Sequence, residues 1–175
     1  LILNKKKILK VKKKLKKILS KLYNQLNFAN SCFVHRDYHT QNLMKVGNKI
    51  GVIDSQDALI GNPAYDLVSL IDDVRLKTST KTKNQIYNYY IKKNNKINKE
   101  NSKKFLIDFN ILSVQRSMKI IGIFSRLSIK DNKKKYLKFI PYTWKLLEMR
   151  LNSEIFKELK KVLDINVPKN FRKKK

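Results

Sequence analysis

Two short stretches, His35-Arg36-Asp37-Tyr38-His39-Thr40-Gln41-Asn42 and Gly51-Val52-Ile53-Asp54, constrain this chain more than anything else in it, because together they specify a polar loop closed by a hairpin. Cys32, Phe33 and Val34 form an apolar run that reads as a strand delivering His35 to its end. Leu43–Val46 and residues 50–53 read as two further strands, joined around Gly47-Asn48, a dipeptide that tolerates positive φ in a tight turn. Antiparallel pairing of that hairpin brings Asn42 and Asp54 to the same end.

A set of this kind suits phosphoryl transfer. That reaction needs an acceptor hydroxyl in line with the γ-phosphate, a group to take its proton, and magnesium to neutralise the phosphate charge. Asp37 is the residue expected to orient and deprotonate the hydroxyl. Asn42 and Asp54 supply the oxygen ligands that a hard cation prefers. ATP and Mg2+ are therefore the expected cofactors of a kinase-type catalytic lobe. His35, at the first position of the loop, is expected to hold backbone carbonyls and not to transfer protons. Asp66 starts the periodic segment Leu67, Leu70, Ile71, Val74; it is expected as a buried anchor for the catalytic loop, in a place where a carboxylate can also cap the helix. His39 and Gln41 either meet substrate or face solvent. Asp72 and Asp73 are expected on a solvated helix face.

Composition narrows the class. With 175 residues and 42% hydrophobic content the chain can bury a core, and it holds a single cysteine, Cys32, so a disulfide scaffold or a Cys/His metal cluster is excluded. No stretch approaches the roughly 20 apolar residues of a membrane span, and no apolar signal core is visible. A cytoplasmic protein is the expectation. The formal charge of +28 comes from 41 Lys and Arg against 13 Asp and Glu. The excess is mostly Lys spread along the whole chain, which favours a solvated basic surface over a specific nucleic-acid site, where Arg is preferred. The rival of a different class is a basic nucleic-acid- or surface-binding helical module whose kinase motifs are relics.

The remainder reads as helical. Ile8, Val11, Leu15, Ile18, Leu19, Leu22 and Leu26 recur at helical spacing with lysines between them. Residues 77–83 read as a loop. Tyr87, Tyr90 and Ile91 mark one helix; Phe105, Phe109, Leu112, Ile120 and Phe124 mark a long buried one. Further helices are expected from about Ile140 past Leu151 and over residues 155–163, and residues 168–175 form a basic tail expected to fray.

The motifs His35-Arg36-Asp37-Tyr38-His39-x-x-Asn42-Leu43-Met44, Ile53-Asp54-x-Gln56-Asp57-Ala58 and Gly61-x-Pro63-x-Tyr65-Asp66-Leu67-Val68-Ser69-Leu70 resemble those of the aminoglycoside phosphotransferase and choline kinase superfamily. Within it, the likeness runs to bacterial anomeric kinases of N-acetylated amino sugars that serve cell-wall recycling. Gly122-Ile123-Phe124-Ser125-Arg126-Leu127 and Ile140-Pro141 also look like that subgroup.

The resemblance implies an α+β, mostly α, C-terminal lobe of a protein-kinase-like fold over residues 1–167, with short antiparallel strands at the catalytic loop. It implies Asp37 as the base and Asn42 and Asp54 as the nucleotide and magnesium ligands, with a small-molecule sugar as partner. His39, Gln56, Asp57 and Arg126 are the candidate substrate residues; Arg126 either meets a carboxylate on the sugar or pairs with Asp131. Ser55 departs from the aromatic residue usual after the second Asp. No glycine-rich loop and no strand-borne Lys with a Glu partner is visible, so an N-terminal, nucleotide-covering lobe is expected to come from elsewhere. A protein kinase is disfavoured, because Ser-Gln and not Phe-Gly follows Asp54 and no activation segment fits before Asp66.

Overall fold

The computed structural model describes residues 4–172. The chain divides into two compact units: Leu26–Arg116 is one, and the residues up to Gln25 with those from Ser117 onward are the other.

The Leu26–Arg116 unit carries the loop and hairpin. Strand β1 (Cys32–Val34) pairs antiparallel with β4 (Leu59–Gly61), in the register Cys32 to Gly61 and Val34 to Leu59. Gly61 allows a close approach there, since a Cβ would lie 2.9 Å from Val34 Cγ2 and force a side chain to shift. Strand β2 (Leu43–Val46) pairs antiparallel with β3 (Lys49–Val52) around Gly47, which takes φ +58° in the turn. The second strand therefore begins and ends one residue earlier than the apolar pattern suggests. Ile53 lies beyond the ladder, and its backbone N–H instead donates to the Asn42 carbonyl at 3.1 Å.

Helices α2 (Ala64–Ile71), α3 (Thr80–Lys93) and the first half of α4 (Ser102–Lys130) enclose this unit's core of Leu67, Val68, Ile71, Ile97, Phe105, Phe109 and Leu112. Phe105 is its centre: Phe28 meets it edge-on and Tyr90 stacks on it. Asp108 is wholly buried and organises the entry to the unit. One carboxylate oxygen accepts the Asn27 backbone N–H (2.8 Å) and Nδ2; the other accepts the Phe28 N–H (2.9 Å) and Asn62 Nδ2 (2.8 Å).

Three expectations fail in this unit. Residues 80–83 are not loop but the start of α3, because the Ser79 side chain caps the helix by accepting from Thr82 N–H. Asp72 and Asp73 are not on a solvated face; they are 2% and 1% exposed and fully engaged by neighbouring donors. Leu26 does not continue the first helix, because it packs against the core around Phe105.

In the other unit, α1 (Lys5–Tyr23) starts with Asn4 capping Lys6 N–H, turns its lysines outward and buries Ile18 and Leu22. It packs on α6 (Lys157–Asn166), which buries Leu159, Val162 and Leu163. Between them in sequence, α5 (Ile140–Arg150) buries Trp144, Leu146 and Leu147. Within the tail expected to fray, residues 169–172 form helix α7 (Lys169–Arg172), which ends on a buried arginine; residues 173–175 lie outside the described residues.

Candidate functional site

The loop after β1 is held in an unusual backbone conformation. Arg36 has φ +73°, a left-handed geometry that costs a non-glycine residue about 1–2 kcal/mol. Asp66, in the first turn of α2, offsets that cost: its carboxylate accepts the backbone N–H of His35 at 2.7 Å and that of Arg36 at 3.0 Å. The N-terminus of α2 is served instead by Asn62, whose Oδ1 accepts Ala64 N–H. Arg36 also reaches across to donate from Nη1 to the Asp57 carbonyl at 3.2 Å, tying the loop to the segment after Asp54.

His35 is buried, and its Nε2 donates to the Ile53 carbonyl at 2.9 Å. The same hairpin end is gripped by Asn42, whose Nδ2 donates to the Asp37 carbonyl at 3.0 Å while its own carbonyl receives Ile53 N–H. His35 and Asn42 thus fix the backbone of Asp37 against that of Ile53, one residue before Asp54. Asp54, like Arg36, adopts a left-handed backbone (φ +70°). Strained non-glycine residues of this kind gather at functional sites.

The oxygens that this arrangement leaves over suit a hard cation. Asn42 spends its Nδ2 on Asp37, so its Oδ1 has no partner among the described residues. Asp37 and Asp54 are exposed, and their carboxylates make no hydrogen bond or ion pair among the described residues, in a chain of net charge +28. No group of three His, Cys, Asp or Glu side chains among the described residues is placed to hold a metal ion. Magnesium does not need one, because it commonly binds through one or two protein oxygens and takes its other ligands from phosphate and water.

Beneath the loop lies a polar cluster that the sequence reading did not find. Asp73 accepts Thr40 Oγ1 at 2.7 Å and Thr40 N–H at 3.3 Å on one oxygen, and Arg75 N–H at 2.9 Å on the other. His39 is buried, with Nδ1 lacking a partner. Burial holds its ring below the ordinary histidine value; Arg75 and Arg116 act in the same direction, opposed by Asp73 and Asp37. Arg116 is also buried, which lowers its affinity for a proton against the pull of Tyr65, Asp37 and Asp73.

The other sequence candidates are placed differently. Gln56 and Asp57 are exposed after the hairpin, with the Asp57 carbonyl taken by Arg36. Arg126 is exposed in the half of α4 that belongs to the other unit, and makes no ion pair with Asp131 among the described residues. Arg116 was detectable in principle, as a charge that falls in register with the apolar stripe Phe105, Phe109, Leu112, Ile120.

A mostly helical architecture with two short antiparallel pairings around this loop is that of a kinase-like lobe. The model of the phosphotransferase enzyme family matches residues 5–93, about half of the chain, and the chain belongs to that family. It is similar to the N-acetylmuramate/N-acetylglucosamine kinase of Caulobacter vibrioides, with 32% identity over 141 residues, covering 78% of this chain and 38% of that protein. The enzyme of the same name from Pseudomonas aeruginosa is 36% identical over 119 residues, 66% of this chain and 35% of the relative. That of Neisseria meningitidis is 38% identical over 112 residues, 62% and 34% respectively. The chain spans little more than a third of the length of the curated relatives it matches.

Proposed function

We propose that this chain is the catalytic lobe of an ATP-dependent sugar kinase that transfers the γ-phosphate to a hydroxyl, the anomeric one, of an N-acetylated amino sugar such as N-acetylmuramate or N-acetylglucosamine. The observation that carries the reading is the pair of bonds made by Asn42, to the Asp37 carbonyl and from Ile53 N–H. They hold one exposed carboxylate and two oxygen donors for a cation on a single loop-and-hairpin unit. Asp37 takes the proton of the acceptor hydroxyl as its oxygen attacks phosphorus. Asn42 Oδ1 and the Asp54 carboxylate would hold Mg2+, which when bound neutralises the phosphate oxygens. Asp66 and His35 support the loop without touching substrate, and Gln56 and Asp57 stand at the exposed rim beyond the hairpin.

Residues 1–167 form the lobe, and a nucleotide-covering N-terminal lobe completes the enzyme. The relatives' names support an amino-sugar acceptor, and electrostatics agrees: a surface of +28 repels polycationic aminoglycosides and accepts a neutral or anionic sugar. Such a reaction belongs to cytoplasmic cell-wall recycling, and no helix among the described residues is long and apolar enough to cross a membrane.

The test is phosphorus NMR on the full-length protein with ATP, Mg2+ and either sugar. An anomeric phosphate should appear, vanish in Asp37→Ala, and vanish in Asp54→Ala together with magnesium-dependent nucleotide binding. Transfer that survives Asp37→Ala overturns the assignment. Salt-sensitive DNA binding by wild type and Asp37→Ala alike, with no nucleotide bound, would favour a nucleic-acid module instead.

A further inference from the structure

Helix α4 carries a cation where its periodicity asks for an apolar residue. Phe105, Phe109, Leu112, Arg116 and Ile120 fall on one stripe of the helix, and all five are buried. Burying a guanidinium is costly unless something pairs with it. Yet Arg116, only 6% exposed, takes part in no hydrogen bond or ion pair among the described residues.

Its position follows from its helical neighbours. Ser113, one turn earlier on α4, donates to Asp72 at 2.7 Å. The adjacent Asp73 is bonded to Thr40, three residues after Asp37, and Arg116 lies within electrostatic reach of both Asp73 and Asp37. Burial disfavours its charge there, and the Asp37 and Asp73 carboxylates favour it. Asp73 makes no ion pair with it among the described residues; its two oxygens receive Thr40 and Arg75 instead.

His39 is a second incomplete group in the same cluster. It too is 6% exposed, and its Nδ1 is fully buried without a partner. Arg116 and His39 thus keep unused hydrogen-bonding capacity on the side of Thr40 and Asp73, while on the side of the hairpin His35 Nδ1 is likewise buried without a partner but its Nε2 is spent on the Ile53 carbonyl. The fork of an arginine matches a planar carboxylate with two parallel bonds, and a desolvated fork does so more strongly than an exposed one such as Arg126.

We propose that Arg116, with His39 beside it, receives a carboxylate carried by the acceptor sugar and thereby turns the acceptor hydroxyl toward Asp37. The inference rests on the sugar-kinase reading above, and it makes Arg116 the specificity determinant between carboxylated and neutral amino sugars. It displaces Arg126 from that role.

The experiment is calorimetric binding of N-acetylmuramate, which bears a carboxylate, and N-acetylglucosamine, which does not, to the full-length protein and to Arg116→Gln and Arg116→Lys. Wild type should bind the carboxylated sugar more tightly. In Arg116→Gln that preference should fall by about 10- to 100-fold, the range for losing a charge-assisted hydrogen-bonded pair. Arg116→Lys should restore part of it, since it keeps the charge and loses the fork. An unchanged ratio in either folded variant, equal weakening of both sugars, or a wild type without preference overturns the inference. If Arg116→Gln does not fold, Arg116→Lys decides alone by whether its ratio falls. A wild type that binds the carboxylated sugar through Arg116 but transfers no phosphate sustains this inference and overturns the proposed function. A wild type that phosphorylates both sugars with equal KM does the reverse.

Discussion

Lys83 Nζ lies 3.0 Å from Asp72 Oδ1, and both side chains are almost wholly shielded from water. The ammonium also donates to the Ile71 carbonyl, and Ser113 Oγ supplies the other Asp72 oxygen at 2.7 Å, so one buried pair joins α2, α3 and α4. Removing one member of a buried pair strands the other, at a cost of about 3–5 kcal/mol. Lys83→Met should therefore lower the unfolding free energy by that order in denaturant titration. A combined Lys83→Met, Asp72→Leu variant should recover most of the loss, because no uncompensated charge remains. A single variant within error of wild type would show that the pair contributes nothing.

Asp66 holds the shape of the loop that follows β1. Its two oxygens accept adjacent backbone N–H groups, those of His35 and Arg36, and the second of these residues has a left-handed backbone. Asparagine keeps one acceptor and turns a donor toward the other N–H. Asp66→Asn should cost about 1.5–3 kcal/mol, the worth of a hydrogen bond to a charged group. Amide hydrogen exchange should accelerate at His35 and Arg36 before it does in α4. Exchange that rises evenly across the chain would mean that Asp66 supports the fold in general and not the loop.

Protonation of His39 should weaken the fold. Burial, then Arg75, holds its ring below the ordinary value of 6.5; Arg116 adds to this, while Asp73 and Asp37 oppose it. A histidine depressed in the folded state contributes stability that is intact above its unfolded value and is lost as pH falls from there toward the folded one. Wild type should accordingly lose stability between about pH 7 and pH 5 relative to His39→Gln. Parallel stability curves for the two proteins would contradict the placement of His39 among those charges.

Local pattern carried most of the architecture. The hairpin was legible because Gly47-Asn48 separates two apolar runs, and it was misplaced by a single residue because Ile53, apolar like its neighbours, leaves the ladder for the Asn42 carbonyl. Spacing alone singled out Asp37, Asn42 and Asp54 as candidates, and the structure ties the Asp37 and Ile53 backbones together through Asn42. Asp72, Asp73 and Lys83 were misread because charged residues in short helices are usually solvated, and only tertiary contact with Thr40 and Ser113 shows that these are not. Asp108 lay hidden for the same reason: a carboxylate among Phe105, Phe109 and Leu112 makes sense only once Asn27, Phe28 and Asn62 converge on it. The helical period of this segment puts Asp108 and Arg116 on the buried face, a signal that was present in the sequence and went unused.

Arg172 closes the opposite end of the chain by the same physics. It is 2% exposed, donates to Glu148 at 2.9 Å, to Asp164 at 2.7 Å and to the Val167 carbonyl at 2.7 Å, and lies 4.9 Å above the Trp144 ring. Both carboxylates are 39% exposed, so solvent screens part of each ion pair, and the ring contact and the burial of the guanidinium carry much of the effect. Arg172→Ala should cost about 2–3 kcal/mol, and Arg172→Lys nearly as much, since a lysine cannot reach two carboxylates and a carbonyl in one plane. Trp144 is the only tryptophan, so its fluorescence reads the change directly. Its emission should shift to the red in Arg172→Ala before the main unfolding transition. An unchanged emission maximum with unchanged stability would show that α7 rests on this unit without holding it.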